Sequence, residues 1–202
     1  SRSGLFPRQT DVLVLTGARD ADAAAVGLLG CGVMAGFGAA VNTGGVTRGD
    51  SVAVIGCGGV GISAIQGARV AGASEIVAVD LVDSKLEDAQ RFGATHAVKP
   101  DELDSAKASI TGGDGFDYAF EAIGLVEAPF LQSIQCTRKR GVTIWVGHAP
   151  LDTIVHIDAR TIMQEKMVMG SMYGSARPQI EFPRLLNLYR EGKLMLDQLI
   201  TR

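Results

Sequence analysis

Cysteine is scarce: Cys31, Cys57 and Cys136 are the only three in 202 residues. An odd number at wide spacing lets neither a disulfide framework nor a Cys-x-x-Cys metal knuckle be read from them. It points to a reducing compartment, with the cytoplasm as the expected location. Charge of one sign is also lacking, since 19 basic against 22 acidic side chains leave a net charge of −3. That balance offers no electrostatic footprint for nucleic acid or for an anionic membrane surface. No apolar run reads as the roughly twenty residues a membrane span requires, and residues 1–10 lack the apolar stretch of a signal peptide. Internal repeats and low-complexity segments are absent. The partner these absences leave is a small molecule.

What is present is an ordinary globular composition, 47% hydrophobic and 20% charged, rich in glycine. From Asp50 onward, short β-branched runs alternate with helical stretches, the pattern of repeated βαβ units feeding a parallel sheet. The strand candidates are 52–55, 76–79, 96–98, 118–120, 142–146 and 167–169, with helices expected over 60–71, 84–92, 102–110 and 127–135. The expected fold is therefore α/β, a doubly wound, mostly parallel six-stranded sheet. Ahead of it, 31–41 reads as a small-residue helix able to approach another backbone closely. Residues 20–29 read as an alanine-rich helical stretch capped by Asp20, and 12–15 as a possible strand. At the far end, 180–191 carries Phe182, Leu185, Leu186 and Tyr189 at helical spacing, closed by Gly192.

The segment from Val52 to Gly61 is a buried strand running into Gly56-x-Gly58-x-x-Gly61 and then a helix, the context in which this glycine pattern is specific. Gly56 makes the tight turn, Gly58 admits a pyrophosphate close to backbone, and Gly61 lets the helix pack on the strand. With Gly59 and Val60 between them, these residues open a helix whose N–H groups and dipole favour phosphate. Asp80 ends the next strand nineteen residues after Gly61, where an acid would accept hydrogen bonds from the adenosine ribose hydroxyls. A carboxylate there repels a 2′-phosphate, so the reading is NAD over NADP, on a Rossmann fold. Asp83 is the competing acid, but it stands where a helix cap would. Methyltransferases use a similar first turn and acid; they usually lack the third glycine.

These segments, with Leu28-Leu29-Gly30-Cys31-Gly32, Gly38-Ala39-Ala40-Val41-Asn42-Thr43 and Phe92-Gly93-Ala94-Thr95, resemble the zinc-dependent medium-chain alcohol dehydrogenases. Within that family, Gly30 to Gly36 followed by Asn42 to Val46 looks most like the mycothiol-dependent formaldehyde dehydrogenases. The resemblance implies that Cys31 is a ligand of a catalytic zinc. A thiol at the start of a 31–41 helix would have its thiolate favoured by the dipole; the alternative is a small buried core residue. It also implies that Lys85 reaches the adenosine ribose, that Ile123-Gly124 and Val146-Gly147-His148 line the nicotinamide half, and that Ser171-Met172-Tyr173 holds the carboxamide. His96 and His156 read as structural, Asp117 and Glu121 as caps or salt-bridge partners, and Cys57 and Cys136 as without a role. Ala35 stands where many relatives carry a threonine.

A catalytic zinc needs three protein ligands and an open position, and Cys31 is one. The expectation is therefore an NAD-binding domain over 31–202, preceded by a linker or remnant over 1–30, with the catalytic zinc domain absent from this chain. The parent enzyme would oxidise an alcohol or a thiol–formaldehyde adduct, with NAD and zinc as cofactors. A zinc-independent medium-chain reductase and a non-catalytic NAD-binding module are the alternatives. The stretch 165–174, apolar and placed on the outer strand, points to a homodimer joined edge to edge, unless the 180–191 helix buries it.

Overall fold

The computed structural model describes residues 23–200. Six strands form one sheet in the order β3-β2-β1-β4-β5-β6: β1 (Ser51–Ile55), β2 (Glu75–Val79), β3 (His96–Val98), β4 (Phe116–Glu121), β5 (Thr137–Trp145) and β6 (Met167–Gly170). Every pairing is parallel, so the expected "mostly parallel" sheet is wholly so. Parallel neighbours need crossovers, which α3 (Gly59–Ala71), α4 (Asp83–Phe92), α5 (Leu103–Thr111) and α6 (Glu127–Cys136) supply. The chain steps outward from β1 to β3 and returns to the other side of β1 as β4. This reversal leaves a crevice at the carboxyl ends of β1 and β4, where ligands of open α/β sheets bind.

Strand alternation divides the core. Val52 and Val54 of β1, with Ile76 and Ala78 of β2, face α3 and α4 in one buried cluster. Their neighbours Ala53, Ile55, Val77 and Val79 face Leu103, Phe116 and Cys136 on the other side. Each of these valines and isoleucines, fully buried, adds roughly 1.5–3 kcal/mol.

Residues 23–44 form one continuous helical run: α1 (Ala23–Leu28), a π-helical turn over Leu29–Val33, α2 (Met34–Gly38) and a second π-helical turn over Ala39–Gly44. This corrects two expectations. The glycines at 27, 30 and 32 do not interrupt the helix, because all lie outside the left-handed region and the wider π turn absorbs the irregularity, so no helix begins at Cys31. The run Ala24–Gly44 is also long and apolar enough to cross a membrane by length and composition, although half of it is buried inside the fold. Its small residues do bring backbones together. An added Cβ at Gly36 would overlap the Val60 carbonyl and lie 2.8 Å from the Ser63 Cβ, and one at Gly67 would lie 2.9 Å from the Phe37 carbonyl.

After a short α7 (Ala159–Ile162), the final helix α8 spans Pro178–Arg190, closed by Gly192 at φ +68°. Leu185 and Leu186 are buried, and Leu185 packs against the 23–44 run. The helix does not cover β6, whose Met167 and Met169 remain 51% and 37% exposed. The expectations for 12–15 and for Asp20 lie outside the described residues.

Candidate cofactor cleft

The glycine turn connects β1 to α3. Gly56 adopts φ +95°, its N–H donates to the Val79 carbonyl at 2.8 Å, and an added Cβ would press on Ile123 at 2.5 Å. Only glycine tolerates both the conformation and the space. At Gly61 an added Cβ would overlap the Gly56 carbonyl, with Val54 at 3.5 Å, so this glycine seats the helix on the turn as well as on the strand. Gly58 and Gly59, by contrast, have nothing within 4 Å of where a Cβ would stand. Gly58 is the N-cap of α3, no side chain caps the helix, and its first turn carries no acid. The first turn of α3, Val60 included, thus carries neither a capping side chain nor an acid of its own, which suits a pyrophosphate.

Asp80 follows β2 and is tied into this turn. One carboxylate oxygen accepts from the Cys57 N–H at 2.8 Å and the other from the Val82 N–H at 3.0 Å. Lys85 Nζ lies 3.9 Å from the same carboxylate, whose side chain is only 10% exposed. A carboxylate has about four acceptor positions, so two remain for ribose hydroxyls. Asp83 is not the cap: Val82 occupies that position without a side-chain bond, and Asp83, in the first turn of α4, is ion-paired with Lys99. Its charge still suits the helix dipole there. Beside Asp80 opens a cleft of about 460 Å³ lined by Ile55, Val79, Lys85, Ile123 and Pro129, with apolar walls able to take a flat ring.

The loops after β4 and β5 meet backbone to backbone. Gly124 is buried at φ +77°, and an added Cβ would overlap the His148 amide; one at Gly147 would overlap the Gly124 amide. Val146 and Gly147 both donate their N–H to the main-chain carbonyl of Glu121, at 2.9 and 3.0 Å. Ile123 is 38% exposed, and the His148 side chain faces solvent.

Glu121 itself is the functional residue the sequence reading missed. It was expected to be a cap or a salt-bridge partner, as Asp117 is, pairing with Arg138 at 2.7 Å and with the Ser51 N–H at 2.7 Å. Glu121 instead is fully buried. One oxygen accepts from the Ile123 and Gly124 N–H groups at 2.7 and 2.8 Å, while the other, buried, has no partner and faces Gly147. The carboxyl thus clamps one loop and abuts the other. Burial pushes its pKa up, with the Gly124, Ile123 and Gly147 amides opposing. An acid ending the apolar run Tyr118-Ala119-Phe120 with glycine three residues on was the available signal.

Its titration fixes a prediction. A folded pKa above the unfolded one stabilises the fold below the unfolded value, and that contribution is lost as the pH rises through the folded value. Glu121→Gln, neutral throughout, is therefore expected to unfold at a higher temperature than the parent at mildly alkaline pH, the gap closing toward about pH 4. Glu121→Ala instead orphans the buried Gly124 N–H and the part-buried Ile123 N–H and should cost about 1–3 kcal/mol for the first and less for the second. Thermal melts across pH decide it, and a Gln variant less stable by the same margin at every pH would contradict the assignment.

Ser171 leaves β6 with its N–H on the Trp145 carbonyl at 2.8 Å, and its hydroxyl lies 2.8 Å from that of Thr43. Cys31 is exposed, which removes the buried-core alternative, and it lies inside the π turn, which removes the helix-dipole argument. Cys57 and Cys136 are both pushed up to about 12, mainly by burial, and take no part. His96 and His156 pair with Glu75 and Glu127, as structural residues do. Among the described residues no three His, Cys, Asp or Glu side chains come together to hold a metal, so Cys31 is one donor without the set a catalytic zinc requires. A second cleft, of about 520 Å³, lies at the amino ends of β4, β5 and β6 among Lys107, Arg138, Lys139 and Lys166. Three of these cations are already held, by Asp104, Asp117 and two main-chain carbonyls.

Residues 59–191 match the family model described as zinc-binding dehydrogenase. The chain is 41% identical over 179 residues to an NDMA-dependent alcohol dehydrogenase of Amycolatopsis methanolica, covering 87% of this chain and 48% of that protein. It is 36% identical over 180 residues to an S-(hydroxymethyl)glutathione dehydrogenase of Komagataella pastoris, covering 86% and 47%. Among solved structures it superposes on benzyl alcohol dehydrogenase from Acinetobacter calcoaceticus with a TM-score of 0.86 at 35% identity, covering 91% and 51%. The chain spans about half the length of the curated relatives it matches.

Proposed function

Because the chain belongs to the zinc-binding dehydrogenase family, we propose that it is the NAD(H)-holding half of an alcohol dehydrogenase whose substrate is an alcohol or a thiol–formaldehyde adduct. The observation that carries this reading is the Asp80 carboxylate, bonded to the Cys57 amide of the glycine turn and bordering an apolar cleft. Bound there, NAD supplies the hydride acceptor.

The chain's own residues orient it. Gly58, Gly59 and Val60 present the helix N-terminus to the pyrophosphate, and Gly56 and Gly61 hold that turn in place. Asp80 accepts from the ribose hydroxyls and Lys85 reaches the same sugar. Ile123 and Gly124 of one loop, and Val146, Gly147 and His148 of the other, line the nicotinamide side. Ser171 and Tyr173 bracket the backbone that takes the carboxamide. Cys31 contributes one thiolate toward a zinc whose remaining ligands this chain's described residues do not provide. In the whole protein that metal would act as a Lewis acid on the substrate oxygen.

The test is cofactor reduction by the whole protein with primary alcohols and with formaldehyde plus a thiol. Turnover is expected to fall at least about a hundredfold in Cys31→Ser, the scale of removing one electrostatic stabiliser. Turnover surviving that change would favour a zinc-independent reductase, and cofactor binding without any turnover a non-catalytic NAD module.

The open edge of β6, with Met167, Met169 and Met172 exposed at 51%, 37% and 87%, supports a homodimer in which two copies extend one sheet across a two-fold axis. A monomer by light scattering would refute it. Three free cysteines suit the reducing cytoplasm; fractionation that finds the protein elsewhere would refute that location.

A further inference from the structure

The turn after β6 is held in an improbable conformation. Tyr173, Gly174 and Ser175 have φ of +54°, +66° and +50°, three successive left-handed residues of which two carry side chains. Such a turn persists only where its surroundings over-determine it. Here the 23–44 helical run does so. Asn42 Nδ2 donates to the Gly174 carbonyl at 3.2 Å, and the Thr43 hydroxyl lies 2.8 Å from those of both Ser171 and Ser175. An added Cβ at Gly174 would stand 2.8 Å from the Gly38 Cα, so turn and helix touch through main chain.

One further contact reaches a different part of the helix: the Tyr173 hydroxyl donates to the Gly30 carbonyl, the residue before Cys31. That carbonyl lies within the π turn over Leu29–Val33. The Met34 N–H, whose partner in an α-helix would be Gly30, bonds to the Cys31 carbonyl instead. Departures of this kind recur at functional sites, and this one has a specific occupant in Tyr173.

We infer that Tyr173 is a positioning residue for Cys31, linking the segment that takes the nicotinamide carboxamide to the π turn that presents the thiol. The inference rests on the proposed roles of the cleft and of Cys31. Occupying the carboxamide segment restrains the already formed 173–175 turn further, the Tyr173 hydroxyl passes that restraint to Gly30, and the turn bearing Cys31 is stiffened before substrate arrives. Phenylalanine at 173 keeps the ring and its packing and removes only this link.

The experiment is hydrogen–deuterium exchange on the chain and on Tyr173→Phe, each free and saturated with NADH. In the free chain, loss of one hydrogen bond is expected to speed exchange across residues 28–34 by roughly threefold or more. NADH is expected to slow exchange at 28–34 in the parent and to do so much less in Tyr173→Phe, while protecting 56–61 equally in both. A purely structural role would move the free-state rates without changing the NADH-induced difference. Equal free-state exchange at 28–34 in the two proteins would overturn the proposal, as would NADH protection there that the variant retains in full. Failure of NADH to protect 56–61 in either protein would instead sink the cofactor reading, with the free-state comparison still judging the link from Tyr173 to the π turn.

Discussion

Asp80→Ala is expected to weaken NADH binding by about ten- to a hundredfold, the value of one or two hydrogen bonds to a charged group, while leaving NADPH binding nearly unchanged. The carboxylate accepts the Cys57 and Val82 amides, so it both shapes the glycine turn and offers its remaining acceptor positions to the ribose. Removing it takes hydrogen bonds from NADH and removes the repulsion that a 2′-phosphate meets. Asp80→Asn separates these effects, since the amide oxygen can still accept from Cys57 while the charge is gone. Asn should therefore retain the fold and narrow the NADH-to-NADPH ratio. Calorimetric titration of the three proteins with both cofactors reads this out, and an unchanged ratio in both variants would remove Asp80 from the ribose site.

Gly61→Ala is expected to have the largest effect on stability. The added methyl would overlap the Gly56 carbonyl and lie 2.9 Å from its carbon, and Gly56 cannot yield easily because its own N–H is bonded to Val79 across the strand ends. Overpacking against fixed main chain costs typically about 1–3 kcal/mol or more. For a chain of this size that is a fall in Tm on the order of 2–12 °C. Gly59→Ala is the contrast: nothing stands within 4 Å of its Cβ position, so the melting temperature should hold or rise slightly. Its methyl projects into the open space beside the turn, where it would crowd a pyrophosphate. Melts and NADH titrations of the pair should show one variant failing in stability and the other in binding. Equal melting temperatures would mean the turn is not the rigid seat described.

The two glycines also show why some features were legible in the sequence and others were not. Strands β1 to β6 were readable from short apolar runs, and the fingerprint from spacing alone, because each is a local pattern whose physical requirement is met within a few residues. The helix over residues 23–44 was read as two pieces because glycine at 30 and 32 is a breaker by propensity, and only packing against α3 and α8 shows that the helix continues. Glu121 was misjudged for a related reason. Its partners are the main-chain amides of Ile123 and Gly124, which carry no mark in the sequence, and its burial depends on a loop from β5. The contact between Tyr173 and Gly30 joins positions 143 residues apart and was beyond any local reading. Cys31 was legible only through resemblance; the structure establishes its exposure and places it within a π turn.

The central claim is that this cleft takes NAD(H) in preference to its 2′-phosphorylated counterpart, because an acid closes the ribose end. Isothermal titration of the unmutated chain with NADH and with NADPH tests it most directly. The account predicts NADH binding tighter by at least about tenfold, a difference of about 1.4 kcal/mol. Equal affinities, or a preference for NADPH, would contradict it.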